Sequence, residues 1–212
     1  MHKLYIVGTP IGNLEDMTFR AARILNEVHL IAAEDTRKAQ ILLSHYEIQT
    51  PVTSYFEANE ERKTSAILQA LEEGDVALIS EAGMPGISDP GYPLITAAID
   101  HGVSIVPVPG PSAHTAALVV SGLPMDRFLF VGFLPRKRAE SALKDLTTET
   151  STMVFYEAPH RLGDTLAAML ELLGNRRLAL CRELTKLYEE VWRGDLAEAL
   201  EWLETHPPRG EY

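Results

Sequence analysis

Cysteine is almost absent: Cys181 is the single one in 212 residues, so no disulfide can form within the chain, and a reducing, cytoplasmic setting is expected. Long apolar runs are missing as well. No stretch approaches the ~20 residues of a membrane helix, and the N-terminus passes from Met1 into a strand-like segment without a signal-peptide pattern. The chain therefore reads as soluble and unexported, with no membrane partner. Positive charge is scarce, 19 Lys and Arg against 30 Asp and Glu for a net charge of −11, which is the wrong sign for a protein that coats nucleic acid nonspecifically. Any nucleic-acid contact must be local. Basic clusters stand at Arg136, Lys137 and Arg138, at His160 and Arg161, and at Arg176 and Arg177; their plain alternative is solvated loop charge. The seven histidines and one cysteine show no paired ligand spacing, so no metal site is expected. No serine lies in GxSxG, and no Walker loop is present.

What the chain does have is core. With 46% hydrophobic side chains it can bury one large core or two modest ones without staples. Apolar, β-branched runs at residues 3–7, 29–33, 76–80, 103–108, 127–131, 152–156 and 178–181 alternate with helical-period segments at 18–28, 60–73, 93–101, 161–173 and 195–204. That alternation predicts an α/β protein with mainly parallel sheets and flanking helices. Gly74, Gly102 and Gly174 follow helical runs, where left-handed caps are expected. The stretch 107–112, with three prolines and a glycine, closes a first series of strands and a second begins near Arg127. Two lobes are expected, 1–112 and 113–212, with a small-residue helix at 113–121 between the two series. The final residues Arg209, Gly210, Glu211 and Tyr212 read as a turn into a new strand, the front part of a longer protein.

Open α/β sheets bind ligands beyond the carboxyl ends of their strands, so the Gly/Pro loops there carry the chemistry. Residues 8–13 (GTPIGN) follow the first strand; the spacing is not GxGxxG and Pro10 removes a donor, so a plain structural turn is the competing reading. Glu34, Asp35, Thr36 and Arg37 follow the second, either as a ribose-binding acid or as a helix N-cap. Residues 80–91 (SEAGMPGISDPG) hold three glycines and two prolines with Glu81 and Asp89, more than a simple turn requires. Residues 108–113 (VPGPSA) lead into the small-residue helix, whose first amides suit a carboxylate or an adenine edge. Later strand ends carry Glu157, His160 and Arg161, and Arg182, Glu183 and Lys186. Each has a bland alternative, as a surface ion pair or a helix cap.

Taken in order, LYIVGTPIGNLEDMT, LIAAEDTR, SEAGMPGISDPGYPL, VPVPGPSA, GFLPRKR, FYEAPHR, RELTKLYEE and PRGEY resemble the tetrapyrrole-methylase family. Within it they are most similar to the branch that methylates a ribose 2′-oxygen of small-subunit ribosomal RNA. The resemblance runs from Leu4 to Tyr212 and implies two α/β lobes, S-adenosylmethionine in the cleft between them, and a homodimer. It assigns the cofactor to Pro10, Ile11, Glu81, Ala82, Gly83, Met84, Ile87, Ser112 and Ala113, and to Phe155, Tyr156 and Leu184. The implied partner is 16S ribosomal RNA within the small subunit, methylated at a cytidine. Relatives commonly read Asp-Ala-Gly-Thr-Pro where this chain has Glu81, Ala82, Gly83, Met84 and Pro85, so a hydroxyl is lost and the acid is one methylene longer.

A sulfonium methyl leaves readily, so the protein must mainly align an oxygen with it and exclude water. A ribose hydroxyl also needs an acceptor for its proton. The candidates are Asp35, Asp89, Glu157 and Lys186, the lysine only if its pKa is depressed. Arg37, Arg136, Lys137, Arg138, His160 and Arg161 are the expected phosphate contacts. The competing readings are a methyltransferase acting on a tetrapyrrole carbon, which would want an apolar trough in place of a basic rim, and a noncatalytic RNA-binding assembly factor. A Rossmann dehydrogenase is opposed by the glycine spacing.

Overall fold

The computed structural model describes residues 2–212, which fall into two compact units, Met1–Ser112 and Ala113–Tyr212. In the first unit, strands β1 (Lys3–Val7), β2 (Leu30–Ala33), β3 (Val52–Ser54), β4 (Val76–Ile79) and β5 (Ser104–Val108) form one sheet in the order β3-β2-β4-β1-β5. All its pairings are parallel. Helices α1 (Phe19–Glu27), α2 (Thr36–His45), α3 (Glu60–Glu73) and α4 (Tyr92–Asp100) supply the crossovers.

Alternate residues of the strands feed two cores, as the two-residue period requires. Tyr5, Val7, Ile31, Ala33, Ala77 and Ile79 pack with Ala21, Ile24, Leu25, Ala39 and Leu43 of α1 and α2. Leu4, Ile6, Ala32, Val76 and Leu78 pack with Ile67 and Leu71 of α3 and Leu94 and Ala98 of α4. Helix α1 begins where Thr18 accepts a hydrogen bond from the Ala21 amide at 3.0 Å, which satisfies one orphan donor of the first turn. Pro107, which cannot donate to a ladder, sits in β5, an edge strand paired only with β1.

The second unit runs α5 (Ala113–Ser121), β6 (Phe128–Phe133), α6 (Ala139–Lys144), β7 (Thr152–Tyr156), α7 (Pro159–Leu173), β8 (Arg177–Arg182), β9 (Glu190–Asp195) and α8 (Leu196–Thr205). Here β6 and β7 pair in parallel while β8 and β9 form an antiparallel ribbon, so with the all-parallel first sheet the strands are mainly parallel, as expected. Leu134, Leu143, Leu162, Leu166, Met169, Leu180, Leu196 and Ala199 make its core. Helix α8 opens with a capping box, Asp195 accepting from the Glu198 amide and Glu198 from the Asp195 amide, each at 3.0 Å.

Of the three glycines expected as left-handed caps, Gly102 and Gly174 have φ of +69° and +75°. Gly74 does not. Its backbone is extended, and a side chain is excluded because a Cβ would lie 2.5 Å from that of His29.

Candidate active site

Three loops of the first unit are stitched together at the carboxyl ends of the adjacent strands β4, β1 and β5. Thr9 and Gly83 exchange backbone hydrogen bonds at 2.9 and 3.0 Å, and the Gly8 amide donates to the Val108 carbonyl at 3.0 Å. The approach is too close for side chains. A Cβ on Gly8 would sit 2.7 Å from Met84 Sδ and 2.8 Å from Gly110 Cα, and one on Gly110 would meet the Gly8 carbonyl oxygen at 2.8 Å. Residues 80–91 then wind through four positive φ values, at Gly83, Gly86, Ser88 and Gly91. Ser88 holds +62° without the freedom of glycine, the kind of strain that functional loops retain. The cradle so formed brings together Pro10, Ile11, Gly83 and Met84. Ile87 of the same loop stays exposed. Met84 turns its sulfur toward Gly8, 2.7 Å from where a Cβ on that glycine would stand.

Carboxylates gather in the same unit. Glu34 accepts from the Glu81 amide at 3.4 Å, Glu81 pairs with Lys38, and Asp89 accepts a hydrogen bond from Ser80. Burial pushes Asp89 up from 3.8 to about 6, opposed by Ser80 and reinforced by the negative charges of Glu34 and Glu81. Glu34 is raised as well, first by burial. Asp35 goes the other way. It caps α2, accepting from the Arg37 amide at 2.8 Å, and grips the Arg37 guanidinium through both oxygens at 3.2 and 2.9 Å. Those bonds hold its carboxyl down at about 2, so the N-cap alternative describes it and its basicity is low.

In the second unit, Glu157 is 6% exposed and fully engaged. Its Oε1 accepts from the Ala158 amide at 2.8 Å and its Oε2 from the Thr165 hydroxyl at 2.7 Å, while its own amide donates to the Tyr212 carbonyl at 3.0 Å. It organises the start of α7. Arg161, whose side chain is 20% exposed, reaches Glu157 Oε1 at 3.5 Å and donates to the Leu134 carbonyl at 3.1 Å. That guanidinium is turned inward and braces a loop, which weakens its candidacy as a phosphate contact. His160, Arg136, Lys137 and Arg138 are exposed, and Arg37 is 89% exposed despite its ion pair.

Lys186 fails the condition attached to it as a base. Burial lowers its pKa, but hydrogen bonds from its ammonium to Glu183 and Glu211, at 2.8 and 2.7 Å, outweigh this and the net shift is upward. The lysine is thus fixed as a cation. Around it the loop after β8 is strained, with Glu183 and Thr185 at φ of +50° and +68° and the Thr185 hydroxyl buried without a hydrogen-bond partner. Leu184 lies in this loop. Phe155 packs against the core of the unit, while Tyr156 contacts Phe130 and Phe133 on the other face of β7.

Sequence reasoning missed Ser80 and Glu34 as partners of Asp89, and it could not see His114 against Phe130, whose ring centroids lie 4.7 Å apart. An open concavity of about 890 Å³ lies elsewhere, along α2 and the approach to β3, where it is lined by Arg37, Gln40, Ile41 and Gln49. Apart from Thr36 and Arg37 its residues are none of the above, and the chemistry does not gather there. Among the described residues no group of three or more His, Cys, Asp or Glu side chains is arranged to hold a metal ion, and no helix is long and apolar enough to cross a membrane.

A parallel sheet with glycine-tight loops and carboxylates at its strand ends defines an α/β scaffold of the class that presents ligand sites beyond the carboxyl ends of its strands. The chain belongs to the tetrapyrrole (corrin/porphyrin) methylase family, which matches residues 3–200. It is 51% identical over 212 residues to ribosomal RNA small subunit methyltransferase I of Halalkalibacterium halodurans, a match that covers 99% of this chain and 73% of that protein. The protein of the same name from Thermotoga maritima is 49% identical, with 100% of this chain and 96% of the relative covered. Among solved structures, uroporphyrin-III-C-methyltransferase from Thermus thermophilus superposes with a TM-score of 0.67 at 22% identity, covering 100% of this chain and 92% of that one. A cobalt precorrin-4 methyltransferase superposes at 0.71 and 16% identity, covering 99% and 92%. These two establish the likeness of fold.

Proposed function

We propose that the chain transfers a methyl group from S-adenosylmethionine to a ribose 2′-hydroxyl of a cytidine in 16S ribosomal RNA of the small subunit. One observation carries the substrate class: relatives named as small-subunit ribosomal RNA methyltransferases match this chain along nearly its whole length at about half identity. When bound, the cofactor supplies a methyl group on a positively charged sulfur, already activated for transfer.

The residues of the first unit fit such a group. Pro10, Ile11, Met84 and Ile87 offer apolar surface, and the bare backbone at Gly8, Gly83 and Gly110 permits close approach. Glu34, Glu81 and Asp89 offer negative charge that suits a sulfonium and an ammonium, and acceptors that suit ribose hydroxyls. Pro10, Ile11, Glu81, Ala82, Gly83, Met84, Ile87 and Ser112 are the proposed cofactor residues there. The assignments of Ala113, Phe155, Tyr156 and Leu184 stand on the family resemblance.

A ribose hydroxyl is a weak nucleophile, so its proton must be taken as transfer proceeds. Asp89 is the proposed acceptor, because a carboxyl near 6 is ionised at neutral pH yet far more basic than Asp35 at about 2. Arg136, Lys137, Arg138 and His160, with Arg37, are proposed to meet phosphates, which positions RNA without reading its bases. The proposed working form is a homodimer in the cytoplasm, checked by sedimentation of the purified chain.

The experiment is transfer of labelled methyl from S-adenosylmethionine to small ribosomal subunits that lack the modification, followed by alkaline mapping of ribose methylation. A single alkali-resistant site is the expected result. Tight cofactor binding with no transfer to RNA overturns the RNA reading and points to a small-molecule acceptor.

A further inference from the structure

The chemistry proposed above leaves an exposed aromatic ring in the second unit without a task. Strand β6 pairs with β7 as Phe128↔Thr152, Leu129↔Met153 and Phe130↔Val154, then slips by one residue, so that Gly132 faces Phe155 and Phe133 faces Tyr156. In a regular strand residues 130 and 133 would point to opposite faces. The bulge puts both on the face of Tyr156, and Gly132, at φ +69°, accommodates the turn. Phe130 and Phe133 lie with ring centroids 5.3 and 5.4 Å from that of Tyr156. His114 closes the cluster behind Phe130.

The ring is fixed from below and open above. Leu134, the next residue, is buried, and its carbonyl is held by Arg161. Phe133 itself is 56% exposed, which is a poor use of a phenyl group if packing were its only role. Directly after it come Arg136, Lys137 and Arg138, all exposed. In a chain of net charge −11 an exposed aromatic beside a basic run favours a polyanion over a second acidic copy of the chain. Protein surfaces that take an unstacked nucleotide combine these two elements, an aromatic face for the base and cations for the flanking phosphates.

We propose that Phe133 is the platform on which one nucleobase of the RNA substrate stacks, with Tyr156 against its edge and Arg136, Lys137 and Arg138 on the adjoining phosphates. This rests on the RNA reading above. Stacking is indifferent to which base is presented, so the platform holds the nucleotide and leaves its identity to other contacts.

The test compares the wild-type chain with Phe133→Ala, Phe133→Leu and Phe133→Trp. Methyl transfer to unmodified small subunits gives KM and kcat, and an oligoribonucleotide carrying a fluorescent cytidine analogue reports stacking by quenching. Phe133→Ala and Phe133→Leu are expected to lose the quenching and to weaken RNA binding by roughly tenfold to a hundredfold, with cofactor affinity unchanged. Phe133→Trp should keep both. If the wild type methylates RNA while Ala and Leu variants keep wild-type KM and quenching, the platform is overturned and the RNA reading stands. Equal losses in all three variants together with lost cofactor binding would assign Phe133 to the fold, and dissociation of a dimer with quenching intact would assign it to self-association; either overturns the proposal. A wild type that neither binds nor methylates RNA removes both readings at once.

Discussion

Asp35 and Asp89 are both aspartates in loops that follow strands of one sheet, and their surroundings drive them apart. Arg37 stabilises the ionised form of Asp35 through three hydrogen bonds. Asp89 is pressed toward its neutral form by burial and by the charges of Glu34 and Glu81. Because the folded protein holds the Asp89 proton more tightly than the unfolded chain does, stability falls as pH rises from 3.8 to about 6, and above that the burden of the charge is fully present. Asp89→Asn should therefore be more stable than wild type above about pH 6, with the difference vanishing below about pH 4. Thermal melts across pH measure this. If Asp89 is the proton acceptor, kcat/KM should climb through about pH 6 and level off, and the asparagine variant should lose that rise along with a factor of about 10²–10⁴ in rate. A variant that is stabilised but keeps its rate and pH profile would leave Asp89 as a burden of the loop and return the base to another group.

At the scale of elements, the strands buried on both faces were the legible ones. Residues 4–7 and 76–79 read as unbroken apolar runs because each lies between neighbours and under helices on either side. Strand β3, three residues between Pro51 and Tyr55 on a sheet edge, gives no such run, and β9 (EVWRGD) carries three charges and is held by its ladder to β8. The loops of the site announced themselves through glycine and proline, yet the properties that sort Asp89 from Asp35, or that turn Phe133 onto the face of Tyr156, arise from burial and register and leave no mark in local sequence. Glycine spacing also hid which contacts matter. Gly110 is required by approach alone, since a Cβ there meets the backbone of Gly8 at 2.8–3.0 Å, whereas one on Gly83 has its nearest neighbour at 3.5 Å. Gly110→Ala is expected to force the first and last loops of the cradle apart, at a cost of about 1–3 kcal/mol in urea denaturation and at least about tenfold in S-adenosylmethionine affinity, since 1.4 kcal/mol is a factor of ten. Unchanged calorimetric affinity in a destabilised variant would separate the cradle from the cofactor.

For the molecule as a whole, the question is how a chain with a net charge of −11 engages a polyanion. Its acidic surface repels RNA at long range, and only local cation runs, such as Arg136 to Arg138 ahead of α6, offer counterion release. Affinity for RNA should then fall with salt in proportion to the few phosphates contacted, with a slope of about −0.7 per contact on single strands. Replacing Arg136, Lys137 and Arg138 together by glutamine should weaken RNA binding and flatten that slope by about two, with little change in folding stability because all three side chains are exposed. Cofactor affinity should not move. The contrasting change, removing acids such as Glu27 and Glu73 at the opposite end of the first sheet from its loops, should leave the slope untouched and raise only weak, nonspecific binding at low salt. If the triple variant keeps the wild-type slope, the basic run is solvated charge, and the phosphates are met by cations elsewhere, with Arg37 the next to replace.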